Sequence, residues 1–208
     1  MIWAVVLAAG ESRRMGRPKL LLPYGGATII ETVVQNVVSS RADRAVIVLG
    51  GNRQEIEERI RAFAVKRVIN RRYKEGMFSS VQRGLSALPA SARAAVFILA
   101  DQPDVPPSVI DLLIEAYRRE KKGIVLPVYR KKRGHPLLID LKYRLEIEAL
   151  SPDIGLRGLL REHRDDILEV RVSSPGVLKD IDDPDDYGRA LGTIRRQERP
   201  KRDRVHRV

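Results

Sequence analysis

Three short segments of nearly unbroken apolar residues punctuate the chain, at positions 2–7, 45–49 and 94–99. Each is rich in Val, Ile and Leu, the pattern of a parallel strand with helices over both faces. Between them the apolar positions change period. Across 28–38, Ile29, Ile30, Val33, Val34 and Val37 fall on one helical stripe. Residues 54–62 and 78–88 continue the alternation, and Pro106-Pro107 marks the start of a helix through Tyr117. Beyond Gly123 the pattern loosens. Residues 124–128 and 137–139 read as short strands, helical stretches follow up to Leu150 and over 156–160, and 167–172 is the last strand. A short terminal helix is expected after Asp183-Pro184. The alternation predicts an α/β fold, a three-layer α/β/α sandwich on a mainly parallel sheet.

No internal repeat or interior linker interrupts this pattern, so a single domain over 1–194 is expected, followed by a basic, disordered tail at 195–208. The tail holds seven Lys or Arg against two acids and almost nothing apolar to bury. It supplies +5 of the formal +12 net charge. Charge alone gives affinity without a means of reading bases, so nucleic acid is not expected as a partner. A polyanionic substrate explains the basic remainder better. There is no cysteine, which removes disulfides, thiolate catalysis and Cys-based metal sites. The opening apolar run is too short for a membrane span or a signal peptide and lacks a basic flank, so a cytoplasmic enzyme is expected.

The turn after the first strand, Leu7-Ala8-Ala9-Gly10-Glu11-Ser12-Arg13-Arg14-Met15-Gly16-Arg17-Pro18-Lys19, carries the first chemical signal. Its small residues let backbone N–H groups approach phosphate oxygens. Arg13, Arg14, Arg17 and Lys19 can neutralise a triphosphate. No Lys follows Gly16 directly, so this is no Walker A loop, nor is it a Gly-x-Gly-x-x-Gly dinucleotide turn. It lies at the carboxyl end of a buried strand, where open α/β sheets bind ligands.

Asp101-Gln102-Pro103 follows the third apolar strand and belongs to the same rim. A hard carboxylate there suits Mg²⁺, which takes a few protein oxygens together with substrate phosphates. An Asp at such a turn can also cap a helix, but Asp104 or Ser108 is available for that and leaves Asp101 free. The third signal, Asp180-Ile181-Asp182-Asp183-Pro184-Asp185-Asp186, reverses the local charge of a basic chain. Asp182 fits a second metal ligand, while Asp183 or Asp185 serves the helix that starts at Pro184. Two weaker signals are the polar stretch 70–80, which precedes a helix whose N-terminus can face an anion, and Arg133-Gly134-His135-Pro136, where spacing alone favours a structural histidine.

Taken together, LAAGESRRMGRPKLLLP, NRRYKEGMFSSVQRGL, LADQP, RGHPLL and DIDDPDDY resemble the MobA-like nucleotidyltransferases. These belong to the wider group with a nucleotide-diphospho-sugar transferase (GT-A-like) Rossmann-type fold. The segments stand in that family's order and spacing from residue 2 to about 190. The resemblance is strongest to the branch that transfers CMP to the molybdenum cofactor. It implies that Leu7, Ala8, Ala9 and Gly10 hold the base and ribose, with Ser12, Arg14, Gly16 and Lys19 around the triphosphate. Asn70, Gly76 and Ser80 would line the nucleotide pocket, and Arg14, Lys19 and Asp101 would act in catalysis. Asp101 and Asp182 would ligate Mg²⁺, and Arg133, Gly134 and His135 would face the acceptor.

The partners implied are CTP, or GTP in the guanylyl-transferring branch, molybdopterin or the molybdenum cofactor, and a molybdoenzyme that receives the product. A guanylyltransferase, a sugar-phosphate nucleotidyltransferase and a non-catalytic cofactor chaperone are the competing readings. Asp183 stands where the family often has Thr, and Tyr73 where Trp is common.

Overall fold

The computed structural model describes residues 1–197 of the chain. Its strands are β1 (Ile2–Ala8), β2 (Pro23–Tyr24), β3 (Ala27–Thr28), β4 (Arg44–Leu49), β5 (Lys66–Ile69), β6 (Ala94–Leu99), β7 (Ile124–Tyr129), β8 (Lys132–Arg133), β9 (Leu137–Asp140) and β10 (Ile167–Arg171). Its helices are α1 (Ile29–Val38), α2 (Arg53–Arg59), α3 (Met77–Ser86), α4 (Pro107–Glu120), α5 (Arg144–Ala149), α6 (Leu156–Glu162) and α7 (Pro184–Gln197). The central sheet runs β10-β7-β9-β6-β1-β4-β5, with β8 paired to β7. The β6-β1-β4-β5 half is parallel throughout, whereas β9 is antiparallel to both β6 and β7.

Alternation along the strands divides the core in two. In β1, Ile2, Ala4, Val6 and Ala8 point to one face, and Val5 to the other. In β4, Ala45, Ile47 and Leu49 alternate with Val46 and Val48 in the same way. The first face is covered by the apolar sides of α1, α2, α4 and α7, the second by α3, α5 and α6. The result is the expected three-layer sandwich. Because β1, β4, β5 and β6 are parallel, their carboxyl ends open on one rim, and the loops there are brought together.

Three details depart from the sequence reading. Neither Asp104 nor Ser108 caps α4. Its N-cap is Pro106, with no side-chain hydrogen bond, and Pro107 at the first turn needs no N–H partner. Asp104 instead accepts a hydrogen bond from the Tyr24 hydroxyl, 2.5 Å away. Strand β5 was not anticipated, because Lys66 and Arg67 mask the pairing of Val68 and Ile69 at a sheet edge, where charge is common. The final helix runs to Gln197, past the boundary expected at 194. The rest of the tail, 198–208, lies outside the described residues.

Candidate active site

The parallel rim holds a cleft of about 530 Å³. Its wall is the β1 turn on one side, the 73–80 segment on another, and the carboxylates of Asp101, Asp180 and Asp182 at its base. The β1 turn bends back through left-handed backbone at Ser12 (φ 57°) and Gly16 (φ 68°). Ser12 Oγ accepts a hydrogen bond from the Lys19 N–H at 3.1 Å, which returns the lysine to the cleft. Gly50 lets this turn sit against the end of β4, since a Cβ there would lie 2.6 Å from the Ala9 carbonyl oxygen.

Two distant stretches meet at the carboxylates. The Ile181 N–H donates to the Asp101 carbonyl at 3.0 Å. Ile181 is buried, so on this extended chain Asp180 and Asp182 flank it and both reach the cleft. Lys19 Nζ then bridges Asp101 Oδ2 at 2.6 Å and Asp182 Oδ1 at 2.9 Å. Arg14 Nη2 lies 2.9 Å from Asp182 Oδ2. The second oxygen of Asp101, Oδ1, is buried and has no hydrogen-bond partner among the described residues.

The electrostatics follow from one ammonium shared among crowded carboxylates. Burial pushes the Asp101 carboxyl up, and the charges of Asp180 and Asp182 add to this against the pull of Lys19. Burial alone would lower the Lys19 pKa, but Asp101 and Asp182 outweigh it and hold the ammonium charged. Asp182 is less enclosed, and Lys19 and Arg14 overcome its desolvation to keep its carboxyl low. The acids that follow serve the helix. Asp183 Oδ1 accepts from the Asp186 N–H at 2.8 Å, and Asp186 Oδ2 accepts from the Asp182 N–H at 3.1 Å. These two bonds tie down the start of α7 and leave the Asp182 carboxylate for the cleft.

Ten of the residues expected at the site line this cleft: Leu7, Ala9, Gly10, Ser12, Arg14, Lys19, Gly76, Ser80, Asp101 and Asp182. The others lie elsewhere. Ala8 is buried in the core, and Gly16 closes the turn without lining the cleft. Asn70 is buried behind it, where its amide donates to Ser79 Oγ at 2.9 Å and Ser80 Oγ at 3.0 Å. Arg133 is on the surface and pairs with Glu169 at 2.7 Å. Gly134 packs on the Val177 backbone. His135 is enclosed below the cleft. Burial lowers its pKa, opposed by the charges of Asp180 and Asp101.

Sequence reasoning gives no role to Glu11, Tyr73, Asp180 or Gln102. The Tyr73 hydroxyl donates to Glu11 Oε1 at 3.1 Å across the cleft wall. The Gln102 amide donates to Asp180 Oδ1 from a buried position. The period-two spacing of Asp180 and Asp182 around an apolar residue was the available signal for the former.

A phosphate-sized turn, paired cations and hard carboxylates on the rim of a mainly parallel sheet define a nucleotide-handling α/β transferase. The chain belongs to the MobA-like NTP transferase family, whose domain it matches over residues 4–167, and it is a nucleotidyltransferase. It is 31% identical to nicotine blue oxidoreductase of Paenarthrobacter nicotinovorans, over 91% of this chain and 96% of that protein. It is 28% identical to the molybdenum cofactor cytidylyltransferase of Escherichia coli K12, over 88% of this chain and 92% of the relative. The Rv0371c protein of Mycobacterium tuberculosis H37Rv, solved as a complex with manganese, superposes with a TM-score of 0.75 at 26% identity. That match covers 92% of this chain and 98% of the other.

Proposed function

We propose that the protein transfers CMP from CTP to the terminal phosphate of molybdopterin or the molybdenum cofactor and releases pyrophosphate. The observation that carries this reading is the Lys19–Asp101–Asp182–Arg14 constellation, which sets two cationic side chains against two carboxylates in one cleft. A phosphate nucleophile is already ionised at neutral pH, so the reaction needs no general base. Its oxygen attacks the α-phosphorus, the bond from that phosphorus to the bridging oxygen of the β-phosphate breaks, and pyrophosphate departs. The protein's task is to align these groups and to offset charge.

Asp101 and Asp182 would hold Mg²⁺. The fit rests on two hard oxygen donors at the cleft base and on the buried, unpartnered Asp101 Oδ1. When bound, the ion offsets charge on the α-phosphate and the leaving pyrophosphate. Lys19 and Arg14 would clamp the phosphates, and the backbone of Leu7, Ala9, Gly10 and Ser12 would receive the nucleotide beside Gly76 and Ser80. Asn70 would act as a positioning residue, through its hydrogen bond to Ser80. On the acceptor side, His135 would act from behind the cleft, within the field of Asp180 and Asp101, and Arg133 would act farther out. CTP is preferred over GTP because the first loop has Ala9-Gly10 where the guanylyl branch has Gly-Gly.

An oxidoreductase is the second reading, favoured by the 31% identity to the nicotine blue enzyme. The first turn favours transfer, since it carries Arg13, Arg14, Arg17 and Lys19 where a nicotinamide dinucleotide would call for a Gly-x-Gly-x-x-Gly turn. The test is pyrophosphate release with each of the four NTPs and Mg²⁺, with and without molybdopterin, beside an assay for nicotinamide-nucleotide oxidation. Release that requires the pterin and prefers CTP supports the proposal. Pterin-independent behaviour with every NTP, or nicotinamide oxidation alone, overturns it.

A further inference from the structure

The cations and the carboxylates of the cleft are bonded to each other. Three of the four carboxylate oxygens of Asp101 and Asp182 are engaged by Lys19 or Arg14. These carboxylates are the ones proposed for the divalent cation, with Asp101 Oδ1 alone left open, and these side chains are the ones proposed for the triphosphate. The lining as a whole is balanced: Arg13, Arg14, Lys19 and Lys74 face Glu11, Asp101, Asp180 and Asp182. A divalent cation arriving alone therefore meets carboxylates that are already neutralised, and it is repelled by the Lys19 ammonium between them. A triphosphate arriving alone meets Lys19 and Arg14 already paired with these carboxylates. When the two arrive together, each takes the partner the other releases.

We propose that Lys19, assisted by Arg14, is an exchange counterion that makes the cleft take the divalent cation and the nucleoside triphosphate as a coupled pair. As the metal occupies Asp101 and Asp182, the two cationic side chains pass to the phosphates. The inference rests on the assignment of those two carboxylates to the metal. The geometry permits the exchange with little backbone motion. The Lys19 N–H is anchored on Ser12 Oγ, and its flexible four-carbon stem carries the ammonium. The Arg14 side chain is 72% exposed and free to swing. Linkage makes the effect reciprocal: the metal tightens the triphosphate by the factor by which the triphosphate tightens the metal.

The test uses the full chain without acceptor, so that no transfer occurs. Binding of Mn²⁺ alone is followed by the paramagnetic resonance of the free ion, and binding of CTP by calorimetry with and without Mn²⁺. Wild type is compared with Lys19→Met and Arg14→Met. Lys19→Met is expected to bind Mn²⁺ alone about tenfold tighter than wild type, with a smaller gain for Arg14→Met. The factor by which Mn²⁺ tightens CTP is expected to fall in Lys19→Met. Thermal melting supplies a second readout, because Lys19→Met leaves Asp101 without its cation. Mn²⁺ should raise the Tm of that variant more than that of wild type. If Lys19→Met does not fold, Arg14→Met, altered on an exposed side chain, decides the question by itself. Metal affinity unchanged by either substitution, with Mn²⁺ bound to wild type, overturns the exchange and leaves the metal site standing. Absence of Mn²⁺ binding to wild type, even with CTP, overturns both.

Discussion

Asp101 is largely buried at the cleft, yet among the described residues only one of its carboxylate oxygens is bonded, and that bond is to Lys19. Replacing it by Asn keeps the volume and removes the charge. Asp101→Asn is expected to lower pyrophosphate release by a factor on the order of 10² or more, the scale of losing a main electrostatic contact to the reacting phosphate. Its circular dichroism should remain that of wild type, and activity within a few-fold of wild type would remove Asp101 from the metal role.

A second carboxylate tests stability away from the cleft. Burial pushes Asp166 up, but the Lys142 ammonium, the Tyr143 hydroxyl and the Gly123 backbone outweigh it and bring the carboxyl to about 2. The folded value lies below the unfolded one, so the contribution is complete above about pH 5 and disappears as the pH falls towards 2. Unfolding midpoints of wild type and Asp166→Asn should differ by a constant amount above about pH 5 and converge in acid. A gap that persists unchanged at pH 2 would show that the interaction does not depend on this ionisation.

Among the elements, α3 ties the cleft wall to the sheet. Its N-terminus, Gly76 and Met77, lines the cleft, and one face packs on β1 and β4. Gly84 makes that approach possible, because a Cβ there would collide with Val5 Cγ1 and crowd Val48 Cγ2. Gly84→Ala is expected to destabilise the fold by roughly 1–3 kcal/mol, the usual cost of overpacking, with a matching fall in urea midpoint. A variant as stable as wild type would mean that the helix can shift outward without loss.

The apolar runs of β1, β4 and β6 and the stripe of α1 were legible because burial on both faces, or along one helical face, leaves a periodic trace. Thr28 at the N-cap of α1, in a reciprocal capping box with Glu31, marks its start just as clearly. Strand β5 left no such trace, since its outer positions are charged. At the site, loops next to strand ends announced Arg14, Lys19 and Asp101. Nothing local indicated that Asn70 turns inward to hold Ser80, or that Arg133 pairs outward with Glu169. Both depend on contacts across the fold, which spacing does not encode.

For the molecule as a whole, the cleft differs in charge from the chain around it. The cleft lining is balanced, while the chain carries a net +12. Among the described residues no helix is long and apolar enough to cross a membrane. We propose that the transferase is one domain and that the basic residues at its end are dispensable for transfer. Truncation after Gln197 is expected to leave pyrophosphate release within about twofold of wild type, and to weaken any salt-sensitive binding to polyanions. Loss of turnover on truncation would assign the end of the chain a part in the reaction.

The most direct measurement is the fate of the α-phosphate. CTP labelled at that position is mixed with excess enzyme, Mg²⁺ and molybdopterin for a single turnover, and the products are separated. Label transferred to a cytosine dinucleotide of the pterin, by wild type but not by Asp101→Asn, is the expected result. Label that stays in CTP, or that appears as CMP at the same rate without the pterin, would contradict cytidylyl transfer by this cleft.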